Sequence, residues 1–289
     1  AIDGLIYGRG TADNKGQHLI NLMALKTLIE LRGSLGFNVK VLIEMAEETG
    51  SPGLAEFCAA QRDALAADVL IASDGPRLMP EVPTMFMGSR GAVNFDLEVR
   101  LRNRAHHSGN WGGLLADPAT ILVQALASLT DARGQIKIAE WRPSSLTPDI
   151  RAALARLPTE TGGDEVIDPN WGEVGLTSNE RVFGWNSFAV LAMKSGVPDA
   201  PVNAISGHAS ATCQLRFVVG TDADGIVPSL RRHLDRKGFH QVHIIATDKV
   251  ALQATRVNPD NPWVNFVASS LEHSTQSAPH ILPNLAGSL

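Results

Sequence analysis

The chain of 289 residues is 44 % hydrophobic and 19 % charged and carries a formal net charge of −5, enough apolar content to bury the cores of two ordinary domains. The acidic balance offers no basic stripe for phosphates, which excludes a nucleic-acid partner, and no apolar run approaches the roughly 20 residues needed to span a bilayer, so no membrane partner is expected. Cys58 and Cys213 lie far apart and outside any Cys-x-x-Cys pattern, so they read as buried small apolar residues rather than a disulfide framework or a thiolate zinc site. The first ten residues lack a secretory h-region, and a cytoplasmic protein is the expectation.

Residues 13–32 carry Leu19, Ile20, Met23, Leu25, Leu28, Ile29 and Leu31 at helical spacing up to Gly33, which predicts one long helix. Short apolar runs at 39–45 and 68–72 flank a helical segment at about 53–65. That pattern predicts a βαβ unit in a parallel sheet. From residue 92 the pattern changes, with Val93, Phe95, Leu97, Val99 and Leu101 alternating against Asn94, Asp96, Glu98 and Arg100, the mark of a strand with one solvated face. Further elements are expected as a helix at 118–129, strands near 187–193 and 209–219, a helix at 226–237 and a strand near 241–246. The order β-α-β-β-α-β is the ferredoxin-like split motif. A Pro, Gly and Ser-rich stretch at 141–184, with a short helix near 148–157, reads as an insertion, and a helix at 263–272 as a return to the first domain.

Three acidic sites fall just outside the elements expected near the N-terminus: Asp13 after Gly8-Arg9-Gly10-Thr11, Glu47-Glu48 after the run 39–45, and Asp74 after the run 68–72. The last two follow C-terminal strand ends, the edge of an open α/β sheet where ligands bind. Crowded carboxylates repel one another unless a cation neutralises them, so a divalent metal is the economical explanation. Taken singly each has a plainer reading: Asp13 as a favourable charge at a helix N-terminus, Glu47-Glu48 as a solvated pair, and Asp74-Gly75 as a turn. Adjacent Glu side chains project in different directions, so one can ligate a metal while the other acts as a base. A P-loop is excluded by order, because Lys15 precedes Gly16 and Gln17 and Asp13 would sit inside the anion cradle.

The run Tyr7-Gly8-Arg9-Gly10-Thr11-Ala12-Asp13-Asn14-Lys15-Gly16 resembles a metal motif of the carnosine dipeptidase, acetylornithine deacetylase, succinyl-diaminopimelate desuccinylase and aminoacylase family of dinuclear zinc hydrolases. Glu47-Glu48, Ala72-Ser73-Asp74 and Arg104-Ala105-His106-His107-Ser108-Gly109 with Trp111-Gly112-Gly113 resemble its later motifs, nearest to the dipeptidase branch. The resemblance implies an α/β fold, a mostly parallel-sheet metallopeptidase catalytic domain (1–88 and 251–289) interrupted by a ferredoxin-like α+β lid and dimerisation domain (89–250). It implies Asp13 as the ligand bridging two metals, Glu48 and Asp74 as further ligands, Glu47 as general base and His107 as the oxyanion group. Asn203 and Arg216 are similarly placed to a tetrahedral-intermediate contact and a substrate-carboxylate anchor. Ser206 stands where relatives usually carry Pro, and a guanidinium suits a carboxylate on its own chemistry.

The implied activity is hydrolysis of an amide bond in a dipeptide or N-acyl amino acid through a metal-bridging water. The implied cofactor is two divalent ions, Zn2+ ahead of Co2+ or Mn2+. The implied assembly is a homodimer through the lid, with the lid His reaching the other subunit's active site. The alternative is a non-catalytic dimerising or binding scaffold of the same fold. Relatives carry a His-x-Asp motif before the segment matched by residue 1 and a ligand His after that matched by residue 289, so little hydrolase activity and weak metal binding are expected of these 289 residues alone. His18, His106 and His208 carry no motif support, and Trp111 and Trp185 read as packing residues.

Overall fold

The computed structural model describes residues 2–11, 13–158, 167–246, 252–258 and 261–287. The chain divides into two compact units, the first ending at Arg77 and the second starting at Leu78.

In the first unit, α1 (Lys15–Arg32) ends where Gly33 adopts φ 78° and returns its N–H to the Ile29 carbonyl at 2.8 Å, a left-handed stop that glycine takes without steric cost. Glu47–Thr49 form a single 3-10 turn ended by Gly50. The helix expected over 53–65 is split into α2 (Leu54–Ala60) and α3 (Arg62–Leu65), with the break at Gln61. The expected strands at 39–45 and 68–72 are not present as strands. Both runs lack a ladder partner among the described residues, and without inter-strand N–H to carbonyl bonds a β-branched run is extended chain, not sheet. Val41, Leu42, Ile43, Leu70 and Ile71 are accordingly exposed.

The second unit runs β1 (Thr84–Phe86), β2 (Gly91–Arg100), β3 (His106–His107), α4 (Ser108–Trp111), α5 (Pro118–Leu129), α6 (Pro148–Ala155), α7 (Ser178–Phe183), β4 (Ser187–Ser195), β5 (Ala204–Ile205), β6 (His208–Phe217), α8 (Ile226–Arg236), β7 (Val242–Ala246), α9 (Pro262–Thr275) and β8 (His280–Leu282). Strands β4-β6-β2-β7 form one antiparallel sheet in that order. With α5 and α8 this is the split β-α-β-β-α-β motif expected from the sequence. The alternation that predicted β2 is the packing pattern itself: Phe95, Leu97 and Val99 are fully buried while Asn94, Asp96 and Glu98 are not.

Helix α5 begins at Asp117, whose side chain accepts the Ala119 N–H, with Pro118 at the first helical position, where its missing donor costs nothing. It buries Leu122, Ala125 and Leu129, and α8 buries Ile226, Leu230 and Leu234, in one core with β2 and β6. Trp141 is fully buried there, its indole N–H donating to the Ile226 carbonyl (3.1 Å) and the Ser229 hydroxyl (3.0 Å).

The segment read as an insertion contributes a core of its own. Ile150, Leu154, Leu157 and Phe183 pack with Leu282 of β8, and α7 opens on a reciprocal capping box between Thr177 and Glu180. Strands β1 and β8 pair in parallel, Thr84 opposite His280. Asn284, fully buried, ties this layer to the chain by donating to the carbonyls of Ser89 and Thr255.

Candidate metal centre and substrate-binding residues

The carboxylates and the remaining site residues belong to different units: Asp13, Glu47, Glu48 and Asp74 to the first, His107, Asn203 and Arg216 to the second. In the first unit Asp13 lies in the turn just before α1, and Asn14 beside it donates to the Ser73 carbonyl at 3.1 Å, which ties the glycine-rich turn to the segment bearing Asp74. Glu47 and Glu48 open the 3-10 turn, held in shape by Glu44, whose carboxylate accepts from the Ala46 N–H (2.7 Å) and the Ser51 hydroxyl (2.6 Å). Those bonds hold the Glu44 carboxyl below the usual range, the Ser51 hydroxyl contributing most.

Glu47 is shifted the other way. Desolvation raises its pKa, and repulsion from Glu48, Asp74, Asp13 and Glu44 raises it further. The expected metal-site acids are thus within electrostatic reach of the expected base. Glu48 currently faces Arg9, an exposed ion pair at 3.2 Å, and Asp74 accepts the Gly75 N–H at 2.7 Å. Among the described residues no three His, Cys, Asp or Glu side chains converge at metal-binding distance. The donor chemistry, oxygen anions that disfavour one another's charge, fits divalent cations.

In the second unit the two-stranded ribbon of β3 and β5 pairs His107 with Ala204, and the Ser108 N–H donates to the Asn203 carbonyl at 2.9 Å. His107 and Asn203, nearly a hundred residues apart in sequence, are therefore brought side by side. His107 Nδ1 accepts the Gly109 N–H at 3.1 Å, so in the neutral ring the proton resides on Nε2 and that nitrogen is a donor. Trp111 packs edge-on against His106, ring centres 5.7 Å apart.

Arg216 lies elsewhere on the sheet. It occupies β6 between Ala92 of β2 and Ser187 of β4, with its Nε donating to Gln214 at 3.1 Å; Gln214 in turn donates to Asn94 at 2.9 Å. Neither orienting residue was marked by a motif, although Gln214 is two positions from Arg216 and the period of a strand places both on one face. The β3–β5 ribbon adjoins the opposite end of β6, where His208 pairs with Arg100. Eight residue steps separate His208 from Arg216, about 27 Å at a strand's rise.

The fold and these motifs define the class, an α/β metallopeptidase. The chain belongs to Peptidase family M20/M25/M40, which it matches over residues 1–288. It is similar to the Beta-Ala-His dipeptidase of Rattus norvegicus, 38 % identical over 139 residues covering 47 % of this chain and 28 % of the relative. It is also similar to the Cysteinylglycine-S-conjugate dipeptidase of Corynebacterium striatum, 30 % identical over 200 residues, 65 % of this chain and 43 % of that protein. Among solved structures, an M20 family metallo-carboxypeptidase of Sulfolobus solfataricus superposes with a TM-score of 0.82 at 24 % identity, covering 98 % of this chain and 65 % of that one. Human carnosine dipeptidase 1 superposes at 0.74 and 22 % identity, covering 100 % and 63 %. The matched regions thus span less than half of these curated relatives and under two thirds of these solved chains. No helix among the described residues is long and apolar enough to cross a membrane.

Proposed function

We propose that the whole protein hydrolyses the amide bond of dipeptides or N-acyl amino acids, with 1–88 and 251–289 serving as parts of the catalytic domain and 89–250 as the lid. The observation that carries this reading is the gathering of acids about Glu47, an exposed carboxyl whose pKa is raised by partial desolvation and by the charges of Glu48, Asp74 and Asp13. A carboxylate whose pKa is raised holds a proton more readily than an ordinary one, which suits a general base. Asp13, Glu48 and Asp74 would hold two divalent ions, zinc ahead of cobalt or manganese, and when bound these supply Lewis-acid polarisation of the carbonyl and a more acidic water.

The chain's own residues carry the remaining work. Glu47 takes the proton of the attacking water and returns it to the leaving amine. His107, its Nε2 carrying the proton because Nδ1 accepts from Gly109, donates to the developing oxyanion, beside Asn203. Arg216, its Nε donating to Gln214, anchors the substrate carboxylate through its guanidinium.

The span of about 27 Å between the two ends of β6 favours a homodimer. A dipeptide is far shorter, which supports a second copy supplying either the His107–Asn203 ribbon or Arg216 to each substrate. Strand β4 is suited to join the copies: it is a sheet edge whose Val190, Leu191 and Met193 are exposed, an apolar edge of the kind that pairs or aggregates when left uncovered.

Glu47→Gln in the full-length protein tests the reading. The amide cannot accept a proton, so metal content should stay unchanged while turnover falls by about 100-fold or more. Loss of metal together with turnover would make Glu47 a ligand rather than the base, and unchanged turnover would remove it from the mechanism.

A further inference from the structure

The ribbon that brings His107 beside Asn203 leaves the four-stranded sheet and returns to it at one crossing. Residues 101–105 lead from β2 into β3, and residues 206–207 lead from β5 into β6. There the N–H groups of Leu101 and Arg102 both donate to the Gly207 carbonyl, at 3.0 and 3.2 Å. A Cβ on Gly207 would collide with the carbonyls of Arg102 and Arg104, so the two arms approach as closely as glycine alone permits. Two bonds that converge on one carbonyl make a pivot rather than a clamp. They fix a point and leave the direction of the ribbon to other contacts.

The Arg102 side chain supplies such contacts. It is half-buried, and one terminal nitrogen donates both to the Ala116 carbonyl at 2.6 Å and to the Ser206 carbonyl at 3.3 Å. Ser206 follows β5 directly, and Ala116 lies between α4, which continues from His107, and α5. The guanidinium therefore joins both arms of the ribbon away from the pivot. The Ser206 side is itself braced, its hydroxyl donating to the His208 carbonyl at 2.8 Å and accepting the His208 N–H at 3.2 Å. Arg102 Nε, by contrast, is buried without a hydrogen-bond partner among the described residues. An unpaired buried donor costs free energy, so the pose of this side chain serves the two carbonyls rather than the whole guanidinium.

We infer that Arg102 is a positioning residue for the His107–Asn203 ribbon: by tying Ser206 to Ala116 it sets where His107 Nε2 and Asn203 stand. Arg102 acts through His107 and does not touch the substrate. The inference rests on the reading of His107 as the oxyanion donor. That donor works only in the transition state, so a displaced ribbon lowers kcat and leaves KM nearly unchanged. Because a single nitrogen makes both bonds, the ammonium of a lysine can replace it in part, whereas an apolar side chain of similar length cannot.

The test places Arg102→Met, Arg102→Lys and His107→Ala in the metal-loaded, full-length protein and reads dipeptide hydrolysis and amide hydrogen exchange on each. The Ser108 amide, which donates to the Asn203 carbonyl across the ribbon, should exchange at least about tenfold faster in Arg102→Met, while the amides of β2 and β6 keep their protection. In the same variant kcat should fall at least about tenfold with KM held within about twofold, and Arg102→Lys should recover most of both losses. In the His107→Ala background Arg102→Met should lower kcat by no more than about twofold further, since the group it positions is gone. Gly207→Ala, which pushes the two arms apart, should reproduce the exchange and kcat changes even if Arg102→Met does not fold. Unchanged exchange at Ser108, losses in kcat that multiply across the two sites, or a lysine variant no better than the methionine one would overturn the inference. A ribbon loosened by Arg102→Met and held by Arg102→Lys in a protein that hydrolyses no dipeptide would uphold the inference and defeat the proposed function. An active protein in which Arg102→Met moves neither exchange nor kcat would do the reverse.

Discussion

Trp141 offers a quantitative test of the second unit's core. The side chain is fully buried, with ring centres 6.1 Å from Phe95 and 5.8 Å from Phe188, and its indole N–H serves Ile226 and Ser229. Trp141→Ala empties that volume and should cost about 4 kcal/mol, within the range for large aromatic truncations. Trp141→Phe keeps an aromatic ring against Phe95 and Phe188 and removes the N–H. The Ile226 carbonyl still receives the Ser229 hydroxyl at 2.8 Å, so no buried acceptor is orphaned and the cost should be only about 1 kcal/mol. With a urea dependence of about 2 kcal/mol per molar, the midpoints should fall by about 2 M and 0.5 M. Hydrogen exchange at the amides of β2 and β6 assigns the change to this unit rather than to the first. An alanine variant within about 0.3 M of the unsubstituted midpoint, or a phenylalanine variant as damaged as the alanine one, would refute the packing argument.

Two further outcomes are expected. Thr177→Ala removes one half of the capping box that starts α7 and should cost about 1 kcal/mol, seen as faster amide exchange over Ser178–Phe183 with little change at β6; no change there would show that the cap contributes nothing. In demonstrated heterodimers of His107→Ala with Glu47→Gln, each inactive alone, some hydrolysis should return because one hybrid site holds both intact groups, and no recovery would place His107 on the same subunit's substrate or outside catalysis.

The legible parts of the sequence were those in which one local rule and the packing agree. Pro118 to Leu129 has a capping Asp, a Pro at the first position and a buried stripe, and it is a helix over that span; the alternation from Val93 to Val99 is a strand because one face meets α5 and α8. The runs at 39–45 and 68–72 have the composition of strands but no ladder partner among the described residues, and pairing is a non-local property that composition does not carry. Strands β1 and β8 were missed for the same reason, being three residues each and paired across nearly two hundred positions. Helix α7 was open to discovery, since Thr177-Ser178-Asn179-Glu180 spells a capping box.

The candidate acids could be picked out in the sequence because Glu47 and Glu48 are adjacent, Asp13 follows a glycine-rich turn and Asp74 follows an apolar run; that Glu48, Asp74 and Asp13 raise the pKa of Glu47 required the fold. The second unit's site was readable one residue at a time. That His107 joins Asn203, and that Arg216 stands at the far end of β6, required the register.

The acids gathered around Glu47 are proposed to serve metal-dependent amide hydrolysis. The most direct test is dipeptide hydrolysis by the full-length protein after metal is stripped with a chelator and then restored by titration. Turnover should disappear with the metal and return on addition of about two equivalents of Zn2+ per subunit; undiminished hydrolysis by metal-free protein, or none at any metal loading, would rule out a metal-dependent role for these acids.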